Sequence, residues 1–566
     1  MNSHRVVVIG GVACGPKAAA RIKRINPSAE VTLIEKGELL SYSGCGMPFY
    51  ISGEVHDHNE LMQTPTGVAR DTHFFKAVKD INVFNRTVAE KIDRENKKVK
   101  ALKIDTGEEI EFEYDDLVLA TGSETVKPPI PGIDLKGVNV LSTIEDARKI
   151  KERVSAFKGK NAVIIGGGLI GIEVTEAFVK QGMNVTIIEK EKQLLKNLTD
   201  PEISIHVRRE LERNGVNLAT GQTVTSVEGD DTGEVSAVIT EKDKFSADIV
   251  LVSIGVKPNV KLAKDAGLKI GETGGIITDE YLRTNDKSIY AGGDCAENKN
   301  RLTGDVLYTP MGSTANKQGR IIGDNICGRN TIFPGVLGTA ICKVFDLTIA
   351  RTGLTEHEVK EKGLDYVTVL TPSPDKPHFL PDSKLIIIKL IAEKPNGKIL
   401  GCQVTGYGDA AKRIDTAVSA MSHNATVFDL ENYDLAYAPP YSPAMDNIIV
   451  AANIAENKLT GTGASYSPAE VKEKLDSQED FIFLDVRSPG EYEIMRIEDK
   501  RVKLIPLGKL REKLPELQKD KEIIAFCKIS LRGYEAQRIL EGEGFKKVKY
   551  MDGGIICWPY EKYVQG

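Results

Sequence analysis

The sequence predicts an α/β protein of several domains, and three observations carry that prediction. A strand, a glycine-rich turn, a helix and a second strand follow one another near the amino terminus. The same grammar recurs farther on, and the carboxy-terminal part alternates short apolar strands with helices of its own. At 566 residues the chain is too long for one hydrophobic core, and ordinary domain sizes give about three to five units.

In the first of the two matching units, Val6-Val7-Val8-Ile9 leads into Gly10-Gly11-Val12-Ala13-Cys14-Gly15, then an Ala/Arg/Lys helix and Val31-Thr32-Leu33-Ile34-Glu35. In the second, Val163-Ile164-Ile165 leads into Gly166-Gly167-Gly168-Leu169-Ile170-Gly171, a helix through Glu173 and Ala177, and Val185-Thr186-Ile187-Ile188-Glu189. In such Rossmann-like units the glycines let the backbone approach a pyrophosphate. The helix N-terminus offers it free N–H groups, and the terminal acid accepts hydrogen bonds from ribose hydroxyls. Gly10, Gly11, Gly15, Glu35 and the adjoining Lys36 are candidate dinucleotide contacts in the first unit, and Gly166, Gly168, Gly171 and Glu189 in the second. A single glycine string would be weak, but strand, helix and acid fall in place both times. Glu189 favours NADH, because a carboxylate repels a 2′-phosphate, and the adjacent Lys190 leaves NADPH admissible. Cys14 stands in the first turn as a tolerated small residue rather than a second redox centre.

With 75 Lys and Arg against 81 Asp and Glu, no global charge favours nucleic acid or an anionic membrane, so the expected partners are small molecules. The first residues run straight into a strand, and no apolar run reaches spanning length, which predicts a cytoplasmic protein without membrane attachment. The eight cysteines are scattered without C-x-x-C pairs or Cys/His clusters. That argues against a metal site or a disulfide framework, so each thiol has to be judged singly.

Between the two units, Tyr114-Asp115-Asp116-Leu117-Val118-Leu119-Ala120-Thr121-Gly122-Ser123 reads as a strand and a small-residue turn, and Ser288-Ile289-Tyr290-Ala291-Gly292-Gly293-Asp294 as a strand followed by glycines and an acid. These segments resemble the ATG and GD elements of FAD-dependent pyridine nucleotide disulfide oxidoreductases. The resemblance implies Ala120, Thr121, Gly122 and Asp294 as FAD contacts. It also implies a discontinuous FAD-binding domain, 1–150 and 255–325, with an NAD(P)H-binding domain at 151–254 inserted in it. Residues 326–455, from Gly338-Thr339-Ala340 through Ala436-Tyr437-Ala438-Pro439-Pro440-Tyr441, resemble that superfamily's α+β dimerisation domain, and the polar stretch 456–465 reads as a linker.

Downstream of the first unit lies Ser41-Tyr42-Ser43-Gly44-Cys45-Gly46-Met47-Pro48. Two-cysteine reductases carry C-x-x-x-x-C here, but the residue five beyond Cys45 is Tyr50, so no internal disulfide forms locally. The segment resembles the single-cysteine branch that includes coenzyme A disulfide reductases, coenzyme A persulfide reductases and NADH oxidases or peroxidases. The resemblance implies that Cys45 cycles as thiolate, mixed disulfide or sulfenic acid. That chemistry calls for a low-pKa thiol near the flavin. From the same branch Lys17, Arg21, Arg24 and Ser41 are carried over as candidates for gripping coenzyme A, although a solvated charged helix face explains the cations equally well. Where the branch usually has Asn before the cysteine this chain has Gly44, and where it has Tyr-Tyr-Pro this chain has Phe379-Leu380-Pro381. Tyr437 and Tyr441 stay in a well-matched segment. The resemblance implies a homodimer in which they complete the partner's site; local packing in a Pro-rich turn is the other reading.

Residues 466–566 contain the strands Phe481-Ile482-Phe483-Leu484-Asp485, Ile523-Ile524-Ala525-Phe526 and Val548-Lys549-Tyr550-Met551, which suggest a parallel sheet with its functional loop at a strand end. Cys527 and Arg532 then fit C-x-x-x-x-R, a loop whose N–H groups curve into an anion-binding nest. With Asp485-Val486-Arg487 and the closing Gly553-Gly554 and Trp558, this part resembles a rhodanese domain, which implies that Cys527 carries sulfane sulfur.

The whole chain resembles the coenzyme A disulfide reductase type fused to rhodanese. The implied activity is an FAD-dependent NADH oxidoreductase that reduces coenzyme A persulfide, polysulfide or disulfide through Cys45, with coenzyme A as substrate or ligand. The alternatives are an NADH oxidase or peroxidase working through a Cys45 sulfenic acid, and a sulfur-trafficking protein centred on Cys527.

Overall fold

The structure, a computed structural model, describes residues 3–156 and 159–565. The chain forms two compact units: 1–192 with 215–336, and 193–214 with 337–566.

In the first unit a parallel five-stranded sheet runs in the order Ile289–Ala291, Asp116–Leu119, Arg5–Ile9, Glu30–Ile34, Asn82–Phe84. Val6 and Val8 enter the core on one face, and Val7 and Ile9 the core on the other. That two-sided burial is why the strand reads as a continuous apolar run instead of alternating. On one face the helices Cys14–Ile25 and Gly312–Ile326 approach closely. A Cβ on Gly319 would lie 2.3 Å from the Cys14 carbonyl oxygen, and one on Gly323 would lie 2.7 Å from Arg21 Cβ. The second parallel sheet has the order Asn217–Thr220, Asn184–Glu189, Asn161–Ile165, Ile249–Val252, Val138–Asn139. Two Rossmann-like sheets are therefore present, as expected.

The second unit holds an antiparallel five-stranded sheet, Ala340–Val344, Leu347–Gly353, Ile399–Gly406, Leu385–Glu393, Tyr366–Pro374, against the helices Ala410–Ser422 and Asn447–Leu459. It also holds a parallel five-stranded sheet, Ser465–Tyr466, Val548–Met551, Glu522–Phe526, Phe481–Asp485, Val502–Leu504. The three strands read from sequence are its centre; the two edge strands are too short to show an apolar pattern. The stretch 456–465, read as a linker, is structured. Its helix runs to Leu459, the Gly463 N–H and Thr462 Oγ1 both donate to the Asn457 carbonyl, and Ser465 pairs with Tyr550. Lys458 donates to Asp552 at 2.5 Å, fixing this helix to the closing strand of the parallel sheet. Among the described residues no helix is long and apolar enough to cross a membrane.

A buried lysine ties 193–214 to the antiparallel sheet. Lys389, 1% exposed, reaches Glu202 and Glu356 at 2.6 Å and Asp200 at 3.0 Å, and Asp200 also accepts from Gln403 at 2.5 Å. Burial alone would strip the lysine of its charge. Glu202, Asp200 and Glu356 outweigh that and hold its pKa above the ordinary lysine value, while the Glu356 carboxyl is drawn down to about 2 against its desolvation. Lys389→Met takes the shared cation from Asp200, Glu202 and Glu356, leaving Glu356 with Lys360 at 2.8 Å as its cation, and is expected to destabilise this unit by about 3–5 kcal/mol, read as an earlier calorimetric transition. The Glu356 contribution is complete above its unfolded pKa and drains away as pH falls toward about 2, so the acid limb of the stability curve should flatten in the variant.

Candidate active site

The two glycine turns of the first unit are built alike. Gly10 and Gly166 both take φ 110°, a conformation that side chains disfavour. A Cβ on Gly10 would stand 2.0 Å from the Ala120 carbonyl oxygen, and one on Gly166 would stand 2.3 Å from that of Ser253. Gly15 and Gly171 close in the same way on the carbonyls of Gly10 and Gly166, at 1.9 and 2.3 Å. The terminal acids repeat as well. Glu35 accepts from the N–H of Gly11 at 2.5 Å and of Gly37 at 2.6 Å, and Glu189 from those of Gly167 at 2.7 Å and Glu191 at 2.8 Å. Gly168, at the head of the helix Leu169–Lys180, faces open space, and Lys36 and Lys190 are exposed beside the two acids.

The other residues expected at the first dinucleotide converge on the same sheet end. Ala120 backs onto Gly10, Thr121 Oγ1 donates to the Asn259 carbonyl at 2.7 Å, and Gly122 takes φ 69°. Asp294 follows the neighbouring strand, accepts from Ser123 Oγ at 3.3 Å, and has its carboxyl pushed up by burial. Cys14 is buried, with its sulfur 3.0 Å from where a Gly292 Cβ would be and its Cβ 3.2 Å from where a Gly293 Cβ would be, so it fills the space that these two glycines leave. A turn that admits no side chain, aligned N–H groups and an acid at the adjacent strand end fit FAD's pyrophosphate and ribityl chain.

The Cys45 loop is attached to this turn. The Ser41 N–H, from a residue at φ 50°, donates to the Gly11 carbonyl at 2.8 Å, and the Ser43 N–H donates to that of Leu61 at 2.9 Å. Cys45 then lies in the single 3-10 turn Gly44–Gly46 ahead of the helix Met47–Ser52. Gly46 has no room for a side chain, since its Cβ would be 2.5 Å from Leu61 Cδ2. Tyr50 is buried with Lys151 Nζ 3.8 Å from its ring centroid, so an aromatic ring fills the position where a resolving sulfur would stand.

Cys45 is exposed, and its thiol is pushed up, first by desolvation and then by the charges of Glu173 and Asp294. The expected low-pKa thiol is therefore not supplied by protein cations. Glu173, which the sequence marked only as a helix landmark, is itself pushed up to about 7 by burial and by Glu176. It is neutral below that pH and charged above it. Glu173→Gln should consequently lower the Cys45 pKa and speed its alkylation by iodoacetamide roughly threefold at about pH 8, and an unchanged rate–pH profile would refute the coupling.

Of the cations expected to grip a nucleotide, Arg21 is committed to Asp324, with Nη2 at 2.6 Å and Nε at 2.8 Å. Lys17 is half-buried on the same helix, and Arg24 is exposed. A phosphate would share Arg21 with that carboxylate.

In the second unit Cys527 ends the strand Glu522–Phe526 and is 1% exposed. Its carbonyl accepts from Ile555 N–H at 2.9 Å, and that of Lys528 accepts from Ile556 at 3.2 Å. Gly554, at φ 55°, lets this strap approach, because a Cβ there would be 2.5 Å from the Cys527 carbonyl oxygen. Arg532 is held in a two-pronged pair by Glu491, at 2.6 and 2.8 Å, and Cys527 adds to the forces that keep it charged. Glu491 escaped the sequence reading; Arg532 draws its carboxyl down to about 2. Tyr437 and Tyr441 are 55% and 71% exposed in a turn-rich segment that also exposes Met445.

Fold and sites together define a flavin- and nicotinamide-dependent oxidoreductase with a further α/β domain in its carboxy-terminal part. The chain belongs to the pyridine nucleotide-disulphide oxidoreductase family: the family model matches residues 4–315, its dimerisation domain 339–449, and a rhodanese-like domain 467–559. As a member it is an FAD-dependent enzyme that takes NAD(P)H. It resembles the solved structure of an NAD-dependent persulfide reductase from A. fulgidus, at 45% identity and a TM-score of 0.92 over 98% of this chain and 100% of that one. It resembles reduced Bacillus anthracis CoADR-RHD at 33% identity and a TM-score of 0.92, over 99% of this chain and 98% of that one. It is also 37% identical to the NAD(P)H coenzyme A polysulfide/persulfide reductase of Pyrococcus horikoshii, over 80% of this chain and 98% of the relative.

Proposed function

We infer that the chain reduces coenzyme A persulfide, polysulfide or coenzyme A disulfide at the expense of NADH, with Cys45 as the reacting thiol and Cys527 as a carrier of sulfane sulfur. The observation that carries this reading is Cys45 itself, a lone thiol fastened to the first dinucleotide turn, with a tyrosine ring where a local sulfur partner would be. Its sulfur partner has to come from solution. The relatives that match along nearly the whole chain, one of them a persulfide reductase, support the same substrate class.

The Cys45 thiolate attacks a persulfide, R–S–SH, at either sulfur. Attack on the outer sulfur gives Cys45–S–SH and releases the thiolate R–S⁻; attack on the inner one gives Cys45–S–S–R and releases HS⁻. In both cases one sulfur–sulfur bond forms as another breaks, and two electrons are then needed to restore the thiolate. Bound FAD supplies the two-electron link between nicotinamide and sulfur. Gly10, Gly11, Gly15, Glu35 and Asp294 would hold it, and Gly166, Gly168, Gly171 and Glu189 would hold NADH. Lys17 and Arg24, with Arg21 shared by Asp324, are assigned to the phosphates of coenzyme A. The exposed Tyr437, Tyr441 and Met445 are assigned to a face that a second copy covers.

Cys527 accepts sulfane sulfur and hands it to a thiol, coenzyme A being the thiol that regenerates substrate for Cys45. Arg532, kept in place by Glu491, supplies positive charge to that sulfur.

Anaerobic stopped-flow reduction by NADH, followed by mixing with coenzyme A persulfide, disulfide or oxygen, tests the assignment. Cys45→Ser should cut persulfide-dependent reoxidation at least about a thousandfold while the NADH reduction phase remains, and Cys527→Ser should abolish only thiosulfate or polysulfide sulfurtransfer. Persulfide reduction by Cys45→Ser at the wild-type rate would sink the central assignment. Removing the Glu189 carboxylate by Glu189→Ala should narrow the NADH to NADPH preference about tenfold in kcat/KM, and an unaltered ratio would take away its role in cofactor choice.

A further inference from the structure

The sulfur-carrying loop contains a residue that neither its helix nor its sheet explains. Ser530 precedes the helix Leu531–Gly542 and has φ 92° and ψ −42°. The other non-glycine residues with positive φ lie between 49° and 65°, inside the small left-handed well that ordinary side chains tolerate. Among the described residues Ser530 alone is outside that well, close to the strained geometry of a γ-turn. Glycine would take this conformation freely.

The hydroxyl is equally unusual. Serine is a favoured helix N-cap because its oxygen accepts from the first free N–H groups of the helix. Here Ser530 makes no capping bond. The residue is 5% exposed, and Oγ is buried without a hydrogen-bond partner. A buried hydroxyl left unpaired is unfavourable and calls for an explanation at this position. The neighbouring groups are already engaged. The Ser530 carbonyl accepts from Tyr534 N–H at 2.9 Å, Arg532 is on Glu491, and the carbonyls of Cys527 and Lys528 are taken by the Gly553-Gly554 strap.

The sulfur that Cys527 would acquire calls for donors within the loop beyond its backbone N–H groups and the Glu491-paired Arg532, and the Ser530 hydroxyl is an unengaged one. With thiosulfate as donor, the Cys527 thiolate displaces sulfite: the sulfur–sulfur bond of thiosulfate breaks, its electron pair leaves with sulfite, and Cys527–S–S⁻ forms. In the second step a low-molecular-weight thiolate takes the outer sulfur as R–S–S⁻ and frees the Cys527 thiolate. Both steps conserve charge and need no external oxidant. The intermediate places an anionic sulfur on a cysteine that is 1% exposed, where water is a poor substitute for protein donors.

We propose that the Ser530 hydroxyl donates a hydrogen bond to the outer sulfur carried on Cys527, and that the strained backbone of Ser530 is retained to hold that donor in the loop. Ser530 is then a positioning and stabilising residue for the persulfide state. The inference rests on Cys527 being a sulfur carrier.

Two variants of the full-length flavoenzyme separate hydroxyl from strain. Ser530→Gly removes the hydroxyl and relieves the strain; Ser530→Ala removes the hydroxyl and keeps the strain. The Cys527 persulfide is formed with thiosulfate, its lifetime is followed by mass spectrometry of the intact protein, and sulfur transfer to a small thiol is resolved into kcat and KM. Both variants should shorten the persulfide lifetime about tenfold, the loss expected of one hydrogen bond to a charged group. Ser530→Gly should at the same time melt no earlier than the parent. If Ser530→Gly keeps the parental lifetime and only Ser530→Ala loses it, the residue acts through loop conformation and the proposal is overturned. Cys527→Ser is measured alongside. If it still transfers sulfur, the carrier reading itself has failed; if it is inactive while Ser530→Gly behaves as the parent, only the role of Ser530 has.

Discussion

The close approach of Gly10 to the Ala120 carbonyl is the constraint on which the rest of the first unit depends. It sets the φ of 110° that turns the chain from strand to helix, and with it the direction of the free N–H groups. Glu35 is drawn onto the N–H of Gly11, and the Gly11 carbonyl in turn accepts from Ser41. The cysteine loop is thereby suspended from the dinucleotide turn by one backbone hydrogen bond, and the Cys45 sulfur inherits its position from a glycine that lies well before it in the chain. A site built this way is held by main chain, the least adjustable part of the fold, which suits chemistry that depends on a sulfur's distance from a cofactor.

The second glycine turn uses the same solution for a different task. Gly166 has the same φ, and Glu189 holds Gly167 as Glu35 holds Gly11, but the loop that follows bears no cysteine. What the helix Leu169–Lys180 contributes is a carboxylate, Glu173, whose charge acts on Cys45. The electrostatic effect runs against thiolate formation, and with the helix behind Cys45 only Met47–Ser52 in length, little in the polypeptide opposes it. Bound FAD, held at the first glycine turn, would supply the electron-poor ring system that favours a thiolate.

How much of this was legible in the sequence follows from what each feature needs. The glycine turns were legible because no other residue fits where a Cβ would lie about 2 Å from a carbonyl oxygen, and their repetition made the reading firm. The absence of a local sulfur partner was legible from Tyr50 alone. Three things were not. The helix Pro201–Arg213 lies inside a stretch read as nicotinamide-binding, yet it is fastened to the antiparallel sheet by Lys389, a residue far along the chain that looks like any surface lysine. Arg532 looked free to serve the sulfur, while its pairing with Glu491 depends on a fold that brings the first turns of two helices, Pro489–Ile494 and Leu531–Gly542, together. The edge strands Ser465–Tyr466 and Val502–Leu504 are too short to carry a period of two, and pairing alone defines them.

The two thiols end in different surroundings, and the contrast bears on what each can do. Cys45 is exposed at its surface, yet desolvation first and the charges of Glu173 and Asp294 after it push its thiol up, a setting that disfavours a persistent anion. Cys527 is buried at a strand end beside an arginine whose own counter-ion, Glu491, sits in a capping arrangement with Ser488 and is not free to swing away. A paired arginine offers less net charge to the sulfur than a lone one, so hydrogen-bond donors within the loop gain weight in holding a charged sulfur there. If the two thiols act as proposed, the setting of Cys45 suits turnover and that of Cys527 suits storage, the separation that a reductase fed by its own sulfur carrier would require.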